Sequence, residues 1–309
     1  MQRNQSAPIL PSMLSREPKV SVCVVTYNQE KYIGECLKSI VEQEVSFDFE
    51  VIIGDDCSTD GTREVISSFK KEYPQKIKTI FNEKNIGPTA NYRKVHSSAL
   101  GEYISHLDGD DYMLPGKLQK QVNYLDAHPE CAVAYHRVKV LDEKSGCMVD
   151  DLIDVATFPP DGFKRNDILA IGSIGCHSSK MYRSCAMNIH YPFVEVLDYH
   201  VFVENLQYGN VGYLNEILGV YRANVGMMRN GDAIRKLLLT HLVLFFKKYP
   251  ECKSSISAHV IRLFLGDLLK KRGSLRFSFN AALKTFHPFF IYWLLRNRKY
   301  LRQFRSPVA

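Results

Sequence analysis

The sequence predicts an α/β fold: a mostly parallel central sheet with helices on both faces, followed by a C-terminal helical appendage. Two observations predict the sheet. Short valine- and isoleucine-rich runs alternate with stretches of helical periodicity over the first part of the chain, and polar or acidic residues follow each run. A third observation, the leucine-rich and strongly basic last quarter, predicts the appendage.

The elements follow in order. Residues 19–26 (KVSVCVVT) read as a buried strand. Ile33, Cys36, Leu37, Ile40 and Val41 then recur at helical spacing. Residues 49–54 (FEVIIG) form a second strand that runs into Asp55-Asp56. Val65, Ile66 and Phe69 mark a second helix closed by Pro74. Residues 77–81 make a third strand, and Tyr92, Val95 and Ala99 a third helix. Residues 103–107 (YISHL) are a fourth strand, and Pro115 opens a helix carrying Leu118, Val122 and Leu125. Repeated β-α units of this length imply a parallel sheet whose ligands gather at the carboxyl ends of the strands. Further on, residues 131–141 read as a longer strand that turns at Glu143 to Gly146. Residues 178–182 and 211–213 are shorter strands, after which helical patterns dominate.

These signals divide the chain into residues 1–18, a disordered lead-in without a signal peptide's apolar core; 19–125, a first half of repeated β-α units; 126–231, a second half of the same domain; and 232–309, a basic helical region. The eight cysteines are scattered, with no C-x-x-C pair, which suits small buried side chains in a reducing, cytoplasmic setting. The longest apolar run, residues 289–295, falls short of the ~20 residues of a spanning helix. The net charge of +7 is unevenly spread: residues 232–309 carry +13, leaving −6 on the rest. A basic region of this kind suits an anionic surface. An inner membrane face, met by the apolar side of a helix carrying Leu237, Leu238, His241, Leu242, Leu244 and Phe245, is favoured over nucleic acid, because no recognition motif accompanies the charge; packing of these helices on the α/β domain or on a second subunit is the alternative of equal standing.

The strongest chemical signal is Asp108-Gly109-Asp110-Asp111. Three carboxylates within four positions at a strand end repel one another and suit a hard divalent cation, Mn²⁺ or Mg²⁺. A solvated turn is the plainer explanation of an isolated D-G-D-D, and the preceding β-α units weigh against it. No G-x-G-x-x-G follows a strand, which excludes a dinucleotide-binding oxidoreductase. The Tyr27-Asn28-Gln29-Glu30 stretch argues against the glycine-rich, basic loop of a nucleotidylyltransferase.

Residues 20–28 (VSVCVVTYN), 51–62 (VIIGDDCSTDGT), Asn85-Ile86-Gly87 and 101–111 (GEYISHLDGDD) together resemble the nucleotide-binding half of the family 2 glycosyltransferases, which have the GT-A fold. The resemblance is close over residues 19–125, looser from 170 to 230 and absent beyond. It implies an inverting, metal-dependent transfer from a nucleotide-diphosphate sugar, a UDP-sugar by the family's prevalent use, to a glycan or lipid-linked saccharide. By position, it implies that Thr26, Tyr27 and Asn28 flank the nucleotide and that Asp55 meets the base, with Asn85 also on the donor side. Asp108 falls on the ribose side and Asp110 on the metal; for Asp111 a turn or helix-entry role stands beside a place in the same site. The resemblance further implies that residues 19–125 are the nucleotide-sugar-binding half and 126–231 the acceptor-binding half, that His177 and Ser178 face the acceptor and that Asp198 is the catalytic base.

Two departures stand in the second half: Leu197 precedes Asp198 where relatives have Glu, and Asn224 stands where many have His. Arg222 and Arg229 are the basic residues placed to meet the donor's phosphates, beside a glycine-flanked loop at 226–231. Simpler roles exist for each: a structural histidine at 177, a helix cap at 198, solvated charges at 222 and 229. A nucleotide-sugar-binding or membrane-scaffolding protein without turnover is the non-enzymatic alternative.

Overall fold

The structure, a computed structural model, describes residues 17–193, 195–225, 231–301 and 303–304. The expected parallel β-α units are present. Strands β1 (Val20–Thr26), β2 (Phe49–Asp55), β3 (Ile77–Phe81) and β4 (Tyr103–Asp108) pair in parallel in the order β3-β2-β1-β4. Helices α1 (Glu30–Val41), α2 (Thr62–Glu72) and α3 (Pro88–His96) connect them. The short β5 (Tyr112–Met113) and helix α4 (Lys117–Ala127) follow, then β6 (Cys131–Asp142) and β7 (Cys147–Asp150).

The second half differs from the expectation in its strands. Residues 177–179 form a 3₁₀ turn instead of a strand, and β8 is limited to Met181–Arg183, antiparallel to β4 and β6. The strand expected at 211–213 is instead the 14-residue β9 (Asn210–Ala223), parallel to β6 and antiparallel to β5. Its register against β6 shifts at three places, so its buried and exposed positions do not alternate. That interruption erases the period-2 pattern a sequence reading depends on.

Strand alternation splits the core into two layers. Val22 and Val24 face α1, α2 and α4 with Ile33, Leu37, Ile66 and Leu118. Cys23 and Ile52 face the other way, toward Val95 of α3 and the helices α5 (Arg165–Ile171) and α6 (Asp198–Asn205). The C-terminal helices α7 (Gly231–Lys248) and α8 (Lys253–Leu269) join this second layer through Leu239, Leu242, Phe245, Ile256 and Val260. Polar contacts reinforce the join: His259 Nδ1 pairs with the Leu169 carbonyl at 3.0 Å, and Arg262 donates to the carbonyl of Ile171 at 2.6 Å. The apolar face of α7 around His241, Leu242 and Phe245, expected to rest on a membrane, is therefore turned inward. Helices α9 (Leu275–Lys284) and α10 (Phe290–Arg296) pack on α8. Among the described residues no helix is long and apolar enough to cross a membrane.

Candidate active site

A cavity of about 410 Å³ opens at the carboxyl ends of β1, β2 and β4. Its walls include Thr26, Tyr27, Asp56, Asp108 and Asp110 from the first half, and His177, Asp198, Tyr221 and Arg222 from the second. The two sets, far apart in sequence, thus meet across one space.

At the first-half end, the Thr26 hydroxyl donates to Gln29 Oε1 at 2.7 Å, and the Gln29 side chain in turn bonds Asp110. Gly109 sits where only glycine fits: a Cβ there would lie 2.5 Å from Gln29 Oε1 and 2.9 Å from Thr26 Cβ. Tyr27 lines the cavity beside them, whereas Asn28 turns away. Asn28 adopts a left-handed φ of 53° and its Oδ1 accepts from the Thr59 amide at 2.8 Å. Asn85 is exposed and caps its own turn, accepting from the Gly87 amide at 3.2 Å, away from the cavity wall.

The placement of the β2 acids departs from the expectation. Asp55 is fully buried and held by Arg63 and the Ser58 hydroxyl. Asp56 is the carboxylate that reaches the cavity, because successive side chains leave a strand on opposite faces. The amides of Ile86 and Gly87 fix it at 2.8 and 2.9 Å, and Asn82 Nδ2 at 3.1 Å. Gly87, at φ 87°, brings its amide in from a conformation that disfavours other residues.

The D-G-D-D loop is electrostatically strained. Burial, then the charge of Asp108, pushes the Asp110 carboxyl up to about 6. Asp111 is buried and pushed well above the usual carboxylate range, first by burial and then by Asp110 and Asp108. It caps no helix. It accepts from the Arg222 amide at 2.8 Å and from the Ser178 hydroxyl, tying β4 to β9 and to the 177–179 turn. Ser178 also accepts from the Asp108 amide at 3.0 Å. Buried and engaged on the D-G-D-D loop, its hydroxyl is not the acceptor-facing group the sequence suggested.

Asp108 is anchored from behind by a chain of hydrogen bonds. Its Oδ1 accepts from His106 Nε2 at 3.1 Å. His106 Nδ1 pairs with His96 Nε2 at 3.0 Å, and His96 Nδ1 pairs with the Tyr182 hydroxyl at 2.6 Å. Burial, aided by His106 and Lys180, holds the His96 ring neutral. Sequence reading missed this chain, since a single histidine within a strand or helix carries no local signal.

His177 stands between the two ends. Its ring centroid lies 3.8 Å from that of His106, and its Nδ1 lies 3.7 Å from Asp198 Oδ2. The Lys180 ammonium sits 3.2 Å from His177 Nε2. An ammonium can only donate, so Nε2 accepts and the ring proton sits on Nδ1, facing Asp198. Burial pushes Lys180 down to about 8 and, together with His106 and Lys180, keeps His177 neutral. Asp198 is the first helical residue of α6, not its cap, and its carboxylate is 70% exposed at the cavity wall.

Arg222 reaches the cavity, but its guanidinium is paired with Glu35 and Glu143 and lies over the rings of Tyr32 and Tyr112, at 5.1 and 5.2 Å. Arg229 and most of the loop at 226–231 lie outside the described residues.

Two groupings could hold a cation. His106, Asp108 and His177 offer ligand atoms within 4.8 Å of one another. There, however, His106 already donates to Asp108, and the Lys180 ammonium stands beside His177. The carboxylates of Asp108 and Asp110 at the cavity wall supply the oxygen donors that Mg²⁺ and Mn²⁺ favour. The residues present thus fit a hard divalent ion.

Comparison with known proteins places this architecture. A family model described as glycosyl transferase family 2 matches residues 21–188. A putative teichuronic acid biosynthesis glycosyltransferase, TuaG of Bacillus subtilis (strain 168), is 30% identical over 212 residues, covering 68% of this chain and 81% of TuaG. Rv1520 of Mycobacterium tuberculosis (strain H37Rv) is 38% identical over 208 residues, covering 66% of this chain, which spans 58% of that relative's length. The chain belongs to the family 2 glycosyltransferases. Its fold is GT-A: residues 1–349 of Staphylococcus aureus TarS, solved with UDP-GlcNAc, superpose with a TM-score of 0.65 at 20% identity, over 92% of this chain and 89% of that one. A Pyrobaculum calidifontis mannosyltransferase, PcManGT, solved with GDP-Man and Mn²⁺, superposes with a TM-score of 0.53 at 17% identity, over 94% and 86%.

Proposed function

We propose that this chain is an inverting, metal-dependent glycosyltransferase that moves a sugar from a UDP-sugar to a hydroxyl of a glycan or lipid-linked saccharide. One observation carries the reading: Asp198 lines the same cavity as Asp108 and Asp110, facing a histidine whose proton points toward it. The UDP-GlcNAc and UDP complexes of TarS favour a uridine donor.

In this reading Thr26, Tyr27 and Asp56 form the base pocket, with Asp56 held rigid by two backbone amides. Asp108, fixed by its histidine chain, takes the ribose side. Asp108 and Asp110 would hold the divalent cation, which when bound offsets the charge that develops on the diphosphate leaving group. Arg222 stands at the same wall over Tyr32 and Tyr112, its charge offset by Glu35 and Glu143 until a diphosphate competes for it.

Asp198 accepts the proton of the acceptor hydroxyl as that oxygen attacks the anomeric carbon from the face opposite the diphosphate, which inverts the centre. His177, whose Nδ1 lies 3.7 Å from Asp198 Oδ2, helps to orient that carboxylate and does not itself transfer the proton.

The test is thermal stabilisation by UDP, GDP and their sugars, each with and without Mn²⁺, followed by NMR of any product's anomeric proton. The expected result is Mn²⁺-dependent stabilisation by uridine nucleotides and a β-linked product from an α-linked donor. Stabilisation by GDP alone, or a retained configuration, would overturn the uridine or the inverting assignment respectively.

A further inference from the structure

The C-terminal helices carry an apolar surface that the fold does not use. Leu269 is 84% exposed, Phe289 71%, Leu295 68%, Leu283 64% and Phe286 62%. These are large exposures for leucine and phenylalanine, and they fall on consecutive elements: the end of α8, the outer side of α9, and the turn into α10. Ring contacts join these elements: Phe264 of α8 meets Phe279 of α9 at 5.6 Å between ring centroids, and Phe286 meets Phe290 of α10 at 5.9 Å.

Cations are interleaved with it. Lys270 and Lys271 follow α8, Arg276 and Lys284 lie on α9, and Arg298 follows α10, and all five are exposed. Acids are scarce there: Asp267 is fully buried and paired with Arg235, and residues 268–309 contain no Asp or Glu. A two-fold interface that set this face against itself in a second copy would bring these cations together, and the repulsion would oppose it. A face for an anionic bilayer meets both features at once, since aromatic and leucine side chains enter the headgroup boundary while lysine and arginine meet lipid phosphates.

We propose that the outer face of α8 to α10 docks on an anionic lipid surface, lying on the membrane without crossing it. Docking would hold the cavity near a lipid-linked acceptor. The proposal does not depend on which sugar is transferred, and donor binding is measured separately, so failure of either reading is visible without the other.

Co-sedimentation of the full chain with vesicles of phosphatidylglycerol and phosphatidylcholine, against phosphatidylcholine alone, tests it. Two multiple variants complete the set: Leu283→Ser with Phe286→Ser and Phe289→Ser, and Lys270→Glu with Lys271→Glu and Lys284→Glu. Unchanged thermal stabilisation by UDP and Mn²⁺ establishes that each variant is folded. The full chain is expected to bind the anionic vesicles, to release them as salt rises, and to ignore neutral ones. Each basic residue near such a surface is worth about fivefold in partitioning, so the charge-reversed variant should bind more than about a hundredfold more weakly. The serine variant should lose binding even at low salt. Equal binding by a folded variant and the parent chain would overturn the proposal. So would a parent chain that ignores vesicles but runs as a dimer that the serine substitutions split, which would assign the face to a second copy.

Discussion

Replacing Asp110 by asparagine should make the metal-free protein more stable, not less. Burial and the neighbouring Asp108 raise the Asp110 carboxyl to about 6, from an ordinary value of 3.8. At neutral pH the folded, metal-free chain therefore holds an ionised group at a disadvantage of about two pH units, or about 3 kcal/mol at ~1.4 kcal/mol per unit. Asparagine keeps the shape and an oxygen for the Gln29 amide while removing the charge. In EDTA at pH 7.5 the Asp110→Asn protein should melt about 6 °C higher, taking about 2 °C per kcal/mol for a chain of this size.

The pH dependence fixes the cause. A carboxyl whose folded value is raised binds its proton more tightly when folded, so the wild-type handicap is complete above pH 6 and fades as pH falls from about 6 towards 4. The advantage of the asparagine variant should fade with it. Added Mn²⁺ should then raise the melting temperature of the wild type and do little for the variant, since binding to the folded state stabilises by mass action. A variant that melts below the wild type in EDTA at pH 7.5 would refute the argument and make Asp110 a structural acceptor.

The other predictions concern the base pocket and acid stability. Asp56→Ala should weaken UDP binding by roughly tenfold or more through loss of a charge-assisted hydrogen bond, and also lower the melting temperature, since the Ile86 and Gly87 amides lose their acceptor. Asp55→Ala should lower the melting temperature, because it leaves Arg63 without its buried acceptor, while UDP affinity of the folded protein stays near that of the wild type; calorimetry and melting curves on both variants decide the assignment. Burial holds His96, His136, His177 and His259 well below their usual range, so the unfolded chain takes up protons near pH 6.5 that the folded chain refuses. Stability is therefore present above about pH 6.5 and lost below it, by up to ~1.4 kcal/mol per pH unit for each ring. The raised Asp110 and Asp111 oppose this in part. A melting temperature that stays flat from pH 7 to 5 would contradict it.

What could be read from sequence followed the range of the physical signal. Strands β1 to β4 are short apolar runs separated by helical periods, so pattern alone placed them and, with them, the sheet edge where Asp108 and Asp110 lie. Strand β9 escaped because shifted register breaks its alternation. The choice between Asp55 and Asp56 turned on which way each side chain leaves the end of β2, a matter of one residue that motif spacing does not resolve.

The supporting groups were less legible still. Arg222 meets Glu35 across 187 residues of sequence and Glu143 across 79, and no local pattern links them. Ser178 reads locally as an acceptor-side serine, yet Asp111, 67 residues away, claims its hydroxyl. The basic tail was recognisable as a surface feature from charge alone. Which of its faces is free depended on α7 and α8 packing against the second core layer.

The central claim is that Asp198 takes the acceptor's proton while the donor is held elsewhere in the same cavity. The direct measurement is UDP release by wild type and Asp198→Asn from a panel of UDP-sugars with lipid-linked saccharide acceptors and Mn²⁺, alongside UDP affinity for both proteins. The account predicts equal UDP affinity and release slower by a factor of ~10² or more in the variant. Near-normal release by Asp198→Asn, at unchanged UDP affinity, would contradict it and leave Asp198 a residue of the first turn of α6.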